Sequence, residues 1–354
     1  MRIAITADVH ITSDDQHPER NHALEDICSQ VLELGIEHVV LAGDILDKGV
    51  SAVASLESIL GQYSTLTFHM IPGNHDAHLT SEMFALENLH LYTTPAIKQL
   101  APDSFPILFL PYTPAASMGD LLQKHAHCLP PGRWYLISHG DWTGSLTAWN
   151  PLEPGVYMPL TRSDISAYQP ARVLLGHIHQ PFSSGIVHFP GSPCGLDISE
   201  TGQRSYILLD TSDNTILRKP VHTDLLYFDE MFFITPFENE ESVFLENLWN
   251  RIDTWNLTEE ERKTAQIRIR MKGYSINREK LAEVVQSALE GYRFYKDEGP
   301  DLSGLLPVSD PELTWIAGQV VQRVQDLDWE PSQDLPTKDE IVLSALAVVY
   351  GIES

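Results

Sequence analysis

Short β-branched hydrophobic runs alternate with amphipathic helical patterns through the first part of the chain. Between residues 2–7 and 38–42, apolar residues recur at helical spacing from Leu24 to Val31, and Gly35 follows as a helix-ending residue. The runs with the length and composition of buried strands are residues 2–7, 38–42, 66–71, 107–110, 134–138 and 173–176. This alternation predicts a layered α/β domain.

A different pattern begins after two further strand-like runs, 186–189 and 206–210, which predict a second sheet that closes the domain near residue 220. Strand-like and helical segments then follow each other in a small α+β pattern. Gly and Pro recur over residues 299–307, which predicts a linker, and two amphipathic helices follow it. We therefore expect a domain over 1–220, an α+β domain over 221–298, and a linker with C-terminal helices over 299–354.

Composition restricts the class of protein. The 354 residues carry a formal net charge of −26, and 43% of them are hydrophobic, which is an ordinary globular composition. Three widely spaced cysteines exclude a disulfide framework and favour a reducing compartment. We see neither a signal peptide nor an apolar run of about 18 residues, so we expect a soluble, cytoplasmic protein without a membrane span. The acidity opposes non-specific binding to nucleic acid.

Polar residues stand directly after most of the predicted strands. Because loops at the carboxyl ends of strands build the sites of open α/β sheets, we expect these residues to converge on one edge. Their oxygen and imidazole donors suit manganese, iron or zinc, and seven donors exceed the needs of one ion. If Asp44 bridges, two ions are held. The first set would then be Asp8, His10 and His179, and the second Asn74, His139 and His177.

Five short segments carry a family resemblance. DVH, GDILD, GNHD, SHG and GHIH resemble, in the same order, the five motifs of the calcineurin-like metallophosphoesterases. The resemblance implies the metallophosphoesterase fold, a two-sheet sandwich flanked by helices, and the seven residues above as ligands of two divalent ions. Manganese is the expected metal, with iron and zinc as alternatives. It also implies that His75 contacts the scissile phosphate and that Asp47 orients His75.

Three features are similar to the SbcD-type DNA repair nucleases within that superfamily. First, GHIHQPF at 176–182 is followed by a Gly-Ser-Pro segment and then by Glu200. Second, Lys48 and Asp76 stand where the protein phosphatase motifs have other residues. Third, a smaller α+β domain with a helical tail follows the motifs. The resemblance implies a capping domain, an exonuclease or endonuclease activity at DNA ends, an SbcC-like coiled-coil ATPase partner and a homodimer. Ile11-Thr12 depart from the Leu-Gly that usually follows the first motif in these nucleases.

Residues 251–296 are locally basic, with 10 Lys and Arg against 7 Asp and Glu. Strand alternation over 266–273 would place Arg268, Arg270 and Lys272 on one face. This row could contact phosphate or simply be a solvated face. The apolar stripes of the C-terminal helices could likewise bind the ATPase or pack on the chain itself.

Other side chains are weak candidates for base stacking or metal binding. Trp142 and Trp149 could stack on a base or anchor their loop, and His125, His127 and Cys128 are expected to be structural or surface residues. Two alternative functions stay open. One is hydrolysis of small phosphoesters without nucleic acid, and the other is a scaffold that has lost catalysis. The scaffold predicts missing ligands, and all seven are present.

Overall fold

The computed structural model describes residues 1–13, 16–47, 51–144, 155–237, 239–329 and 335–351. Its contacts divide the chain into two compact units. The first comprises Met1–Leu196 and Gln203–Leu225, and the second comprises Asp197–Gly202 and the described part of Leu226–Ser354. Within the described ranges, every helix is too short or too polar to cross a bilayer.

Two six-stranded sheets form the centre of the first unit. The strands of the first sheet are β1 (Arg2–Thr6), β2 (His38–Ala42), β3 (Thr67–Ile71), β4 (Leu89–Leu91), β11 (Ser205–Asp210) and β12 (Thr215–Pro220). The strands of the second are β5 (Ala96–Lys98), β6 (Ile107–Leu110), β7 (Tyr135–His139), β8 (Arg172–Gly176), β9 (Phe182–Ser184) and β10 (Val187–Phe189). Their orders are β12-β11-β1-β2-β3-β4 and β5-β6-β7-β8-β10-β9.

The central strands of both sheets are parallel, and the antiparallel strands lie toward the edges. The register places Thr6 beside Leu41, Ala42 beside Ile71, and His139 beside Gly176. The carboxyl ends of neighbouring strands therefore lie level. One buried cluster joins the facing sides of the two sheets, and it includes Ile5 and Phe109.

Helices cover the outer faces of these sheets. They are α1 (Pro18–Glu33), α2 (Ser51–Gln62), α3 (Met118–His125) and α4 (Arg162–Tyr168). The predicted stripe of α1 is buried in one cluster with β1, β2 and β3, while Met118 of α3 packs in a cluster with β7 and β8. Burial of one apolar face per helix is the interaction that stabilises this arrangement. The predicted α/β two-sheet fold flanked by helices is confirmed.

The second unit is an α+β structure with its own core. Its strands are β13 (Leu226–Ile234), β14 (Ala265–Ser275), β15 (Arg293–Phe294) and β16 (Asp301–Pro307), all paired in parallel. Its helices are α5 (Glu240–Thr254), α6 (Glu259–Thr264), α7 (Arg278–Ala288), α8 (Pro311–Gln325) and α9 (Lys338–Val349). Phe228, Ile267 and Leu281 are buried together in this core.

The prediction of a linker over 299–307 is wrong, because residues 301–307 form β16. Leu305 is buried and pairs with Gly273 of β14, so ladder hydrogen bonds and core packing outweigh the local preference of Gly304 and Pro307. The C-terminal helices are also joined to this unit. Ala317 of α8 and Leu346 of α9 are buried in one cluster with Tyr274 of β14.

Candidate functional site

The predicted site residues lie at the carboxyl ends of β1, β2, β3, β7 and β8. Positions directly after parallel strands point out of the sheet edge, which is why this sequence pattern brings distant residues together. Asn74 and His75 are half-buried, and Asp47 exposes 39% of its side chain. The buried members are Asp8, His10, Asp44, His139, His177 and His179.

These residues form three groups of atoms that could bind a metal, one of which joins His10 to Asp47 and His75, and the other two contain the predicted ligands. Asp8, His10 and His179 each offer one ligand atom within 4.8 Å of the others, and so do Asp44, His139 and His177. Asp44 Oδ2 lies 3.9 Å from His10 Nε2 and 3.2 Å from His139 Nε2, so it stands between the two groups. Asn74 Oδ1 lies 2.9 Å from the same His139 nitrogen. The structure therefore brings all seven predicted donors together and places Asp44 between the two groups.

Main-chain geometry aims the carboxylates into the site. Asp8 Oδ1 accepts a hydrogen bond from the His177 amide at 2.8 Å, and Asp44 Oδ1 accepts one from the His75 amide at 2.8 Å. Asp8, His10, Asp44 and His177 have φ between +52° and +99°, a region that non-glycine residues rarely occupy. Such strained residues cluster at functional sites.

Unpartnered buried atoms indicate that the site fits a cation. Among the described residues, Asp8 Oδ2 and His10 Nε2 are buried without a hydrogen-bond partner. A buried polar atom without a partner costs about 1–3 kcal/mol, more when it is charged. Mixed carboxylate, amide and imidazole donors without thiolate are the set that divalent manganese, iron or zinc accepts. The residues present therefore fit two divalent ions.

Two glycines make room for His139. A Cβ on Gly43, whose φ is +89°, would lie 2.7 Å from the His139 Cγ, and a Cβ on Gly176 would lie 2.6 Å from its Nδ1. His139 Nδ1 is 3.0 Å from the Ala42 carbonyl, to which it donates a hydrogen bond. That bond fixes the tautomer and leaves Nε2 to face the metal-binding atoms.

Burial governs the protonation of the site. Burial raises the pKa of Asp8 to about 6 and lowers the pKa of His10 to about 3. Burial also opposes charge on Asp44 and His139, but their mutual attraction prevails. The pKa of Asp44 is therefore lowered, and that of His139 is raised to about 10. An acidic site that is costly to charge gains most from bound cations.

His75 and Asp47 form a separate pair at the rim of the site. His75 Nδ1 lies 3.7 Å from Asp47 Oδ1, and the His75 ring centroid lies 4.8 Å from that of His10. Nδ1 is therefore the ring nitrogen that faces Asp47. The structure thus places the predicted pair side by side.

Asp76 is a site residue that the sequence reasoning treated only as a point of divergence. It is fully buried and accepts hydrogen bonds from the amides of Ile45 at 2.8 Å, Leu46 at 3.2 Å and Gly73 at 2.6 Å. It therefore joins the loop after β2, which carries Asp44, to the loop after β3, which carries Asn74. Its position directly after the third motif was the available signal.

Arg204 was also missed, and it explains the Gly-Ser-Pro segment. This buried arginine donates from Nε to the Ser192 carbonyl at 2.9 Å and from Nη2 to the carbonyl of His179 and to Ser192 Oγ. It thereby ties the segment to the main chain of a predicted ligand. Asp141 lies near another predicted ligand, with Oδ1 3.5 Å from His177 Nε2.

The predicted basic row lies on β14 in the second unit. Its alternation is confirmed, because Ile267, Ile269 and Met271 are buried whereas Arg268, Arg270 and Lys272 are half-buried or exposed. One carboxylate, Asp229, accepts hydrogen bonds from both arginines, with Nε distances of 3.0 Å for Arg268 and 2.9 Å for Arg270. Burial opposes the charge of Asp229, but the Arg268 hydrogen bond and both guanidinium charges lower its pKa. Part of the basic charge is therefore neutralised within the unit.

The weaker candidates have local roles. Trp142 is buried, while Trp149 and Lys48 lie outside the described residues. His127 Nδ1 is hydrogen-bonded to the Lys124 carbonyl, and His125 and Cys128 lie in the same surface turn. None of the candidate metal groups found among the described residues includes them.

A two-sheet α/β fold with buried carboxylate and imidazole donors at its strand ends defines a metal-dependent hydrolase centre. Residues 1–208 match the family model of the calcineurin-like phosphoesterases, so the chain belongs to that family. The family is dimetal-dependent, and the chain is a metal-dependent phosphoester hydrolase.

Comparisons with individual proteins add distant likenesses. An archaeal phosphodiesterase aligns with 62% of this chain and 100% of its own, at 14% identity and a TM-score of 0.34. A dimetal phosphatase from Danio rerio aligns with 62% of this chain and 96% of its own, at 12% identity and a TM-score of 0.43. A search of curated proteins found no match.

Proposed function

We propose that this hydrolase is a two-metal phosphodiesterase that cleaves DNA ends. The observation that carries the two-metal part is the position of Asp44, between the group of Asp8, His10 and His179 and the group of His139 and His177. The first group would hold one ion, and the second, with Asn74, would hold the other. When bound, two divalent ions acidify water toward a pKa of about 7 and neutralise charge on the phosphate.

The side chains of the chain itself would orient the phosphoester and move the proton. His75 stands at the rim of the site with Nδ1 toward Asp47, and its imidazole would donate a proton to the departing oxygen. Asp47, on the opposite nitrogen, would fix the tautomer and favour the protonated ring. A general acid of this kind contributes about 10²- to 10⁴-fold to the rate.

DNA is the proposed substrate because of three features outside the five motifs. The Gly-Ser-Pro segment resembles that of the SbcD-type nucleases, and Arg204 anchors it to His179. A second, α+β unit follows, as a capping domain does in those nucleases. Its strand β14 presents Arg268, Arg270 and Lys272 in a row that could contact phosphates.

The remaining parts of the proposal concern metal and partners. We propose manganese, since carboxylate, amide and imidazole donors without thiolate suit it. An SbcC-like coiled-coil ATPase would bind the C-terminal helices, where Trp315 of α8 and Val348 of α9 expose 68% and 81% of their surface. We also propose a homodimer, by the same resemblance, and a cytoplasmic location, from the cysteine usage.

Hydrolysis of small phosphoesters is the second candidate function. The net charge of −26 favours it, because a polyanionic substrate is repelled by an acidic protein. The sharing of Asp229 by two arginines reduces the cationic surface that DNA could use.

End-labelled duplex DNA and bis(p-nitrophenyl) phosphate, each with manganese, separate the two functions. Shortening of the labelled strand by the wild-type chain but not by Asp44→Asn supports the nuclease, provided that Asp103→Asn, an exposed control, cleaves normally. Rapid cleavage of the small diester with intact DNA would reject the nuclease and support the second function.

A further inference from the structure

A buried arginine on the first helix reaches two parts of the site. Arg20 lies in the first turn of α1 and exposes only 9% of its side chain. Its Nη1 donates a hydrogen bond to the main-chain carbonyl of His10 at 2.8 Å, and the same nitrogen lies 3.8 Å from Asp47 Oδ2. Guanidinium is permanently charged, so its burial is costly unless it interacts with such groups.

The Asp47 carboxylate is approached from both sides. Arg20 lies near Oδ2, and His75 Nδ1 lies 3.7 Å from Oδ1. The three side chains therefore form a row from the buried helix to the rim of the site. Arg20 belongs to none of the five motifs and is separated from His10 by ten positions in the chain.

We propose that Arg20 is a positioning residue that acts on His75 through Asp47. Arg20 Nη1 lies 3.8 Å from Asp47 Oδ2 and His75 Nδ1 lies 3.7 Å from Oδ1, so a fixed guanidinium beside one oxygen favours the carboxylate orientation in which the other faces the imidazole. Oδ1 in turn favours the imidazole orientation in which Nδ1 faces Asp47, and this orientation would present Nε2 to the phosphoester. The hydrogen bond to the His10 carbonyl also joins the same guanidinium to the loop after β1. Arg20 thereby connects the Asp47–His75 pair to the loop that carries the predicted ligand His10.

This inference rests on the proposed role of His75 as proton donor, and the leaving group can test it. A proton donor matters most when the departing oxygen is a strong base. Diphenyl phosphate releases phenolate, a stronger base than the p-nitrophenolate released by bis(p-nitrophenyl) phosphate. Neither diester requires recognition of nucleic acid, so the test does not depend on the DNA substrate.

Arg20→Met keeps an unbranched side chain and removes the guanidinium and its charge. We expect kcat for diphenyl phosphate to fall about tenfold or more with KM nearly unchanged, and kcat for bis(p-nitrophenyl) phosphate to fall less than about threefold. Elemental analysis should still find two manganese ions per chain. Arg20→Lys, which keeps the charge, should retain more of the diphenyl phosphate activity than Arg20→Met.

Arg218→Met is the matched control. Arg218 is a half-buried arginine of β12 that donates hydrogen bonds to the Phe182 and Phe189 carbonyls, and it contacts none of the seven donors. We expect it to lower the melting temperature as Arg20→Met does, without changing the ratio of the two diester rates. That result separates positioning from a general loss of stability.

A double variant tests the route through Asp47. If Arg20 acts through that carboxylate, Arg20→Met should add no further loss to Asp47→Asn. Additive losses, equal losses on both diesters, or a missing manganese ion would overturn the inference. His75→Asn distinguishes the two proposals. If His75→Asn lowers kcat equally for both diesters, His75 is not the proton donor. If His75→Asn lowers kcat more for diphenyl phosphate but Arg20→Met leaves kcat for both diesters unchanged, only the role of Arg20 is refuted.

Discussion

Gly176→Ala is the sharpest perturbation of the site that leaves every donor in place. The added Cβ would overlap the Ala42 carbonyl and lie 2.6 Å from His139 Nδ1 and 2.9 Å from Ala7 Cβ. These neighbours are main chain and packed core, so they can move only by displacing β2 or the His139 ring. Overpacking of this kind costs about 1–3 kcal/mol.

The expected effects are a loss of stability and a weakened metal group. About 2 kcal/mol corresponds to a fall of roughly 4–8 °C in the melting temperature of a unit of this size. Because His139 and Asp44 share one group, a displaced imidazole should also weaken binding of one manganese ion by at least about tenfold, the range seen when supporting contacts of ligands are removed. Thermal unfolding without metal and calorimetric titration with manganese measure the two effects separately.

Gly61→Ala is the control for the glycine itself. A Cβ there would meet only Leu86 Cδ2, at 3.7 Å, and Gly61 lies in α2, where alanine is preferred to glycine by up to about 1 kcal/mol. It should therefore leave stability unchanged or raise it slightly. Wild-type melting and manganese affinity in Gly176→Ala would refute the close packing of β8 against His139 as the reason for this glycine.

Three further predictions follow from the donors, the basic row and a buried histidine. Asp44→Ala should lose both manganese ions and all activity, whereas His75→Asn should keep both ions and lose about 10²- to 10⁴-fold in kcat. Elemental analysis measures the bound manganese, and diester kinetics measure kcat. If Asp44→Ala retained two manganese ions, bridging by Asp44 would be contradicted. Asp229→Asn should strengthen DNA binding and make its salt dependence steeper, because Arg268 and Arg270 lose a shared anionic partner. Fluorescence anisotropy at several salt concentrations measures this affinity. An unchanged affinity would indicate that the basic row on β14 faces solvent and does not contact DNA. Burial lowers the pKa of His69 to about 3, against about 6.5 when unfolded, so its contribution to stability is complete above pH 6.5 and is lost as the pH falls. The free energy of unfolding, measured with denaturant, should fall by about 2 kcal/mol from this residue between pH 6.5 and pH 5. His69→Gln should reduce that loss, whereas a variant at the exposed His127, in a separate surface turn, should not.

The fold of the first unit could be predicted because its signals are local. Runs such as 38–42 have strand composition and end in Gly-Asp, and Leu24 to Val31 repeat at helical spacing. Donor types at successive strand ends then determined which side chains could meet. Asp8 and His179 are far apart in sequence and follow strands of different sheets. Parallel topology places each at the carboxyl end of its strand, and the packing of the two sheets brings the two ends together.

The supporting contacts could not be predicted in this way. Asp76 binds main-chain amides of another loop, Arg204 binds the carbonyl of a residue 25 positions earlier, and Asp229 meets the β14 arginines across a parallel pair. Each depends on tertiary packing, which leaves no periodic trace in the sequence. Residues 301–307 show the same limit, because their strand forms only by pairing with β14.

The path of the chain between the two units has a consequence for modular engineering. The polypeptide leaves the first unit at Leu196, returns at Gln203, and leaves finally at Leu225. Within the second unit, the Gly202 amide donates to the Tyr227 carbonyl at 2.9 Å. A truncation after residue 225 would therefore strip residues 197–202 of their neighbours while keeping them in the polypeptide. A fragment that contains only the first unit would therefore need a redesigned loop in place of residues 197–202. A transfer of the second unit to another protein would need residues 197–202 to be supplied as a separate segment.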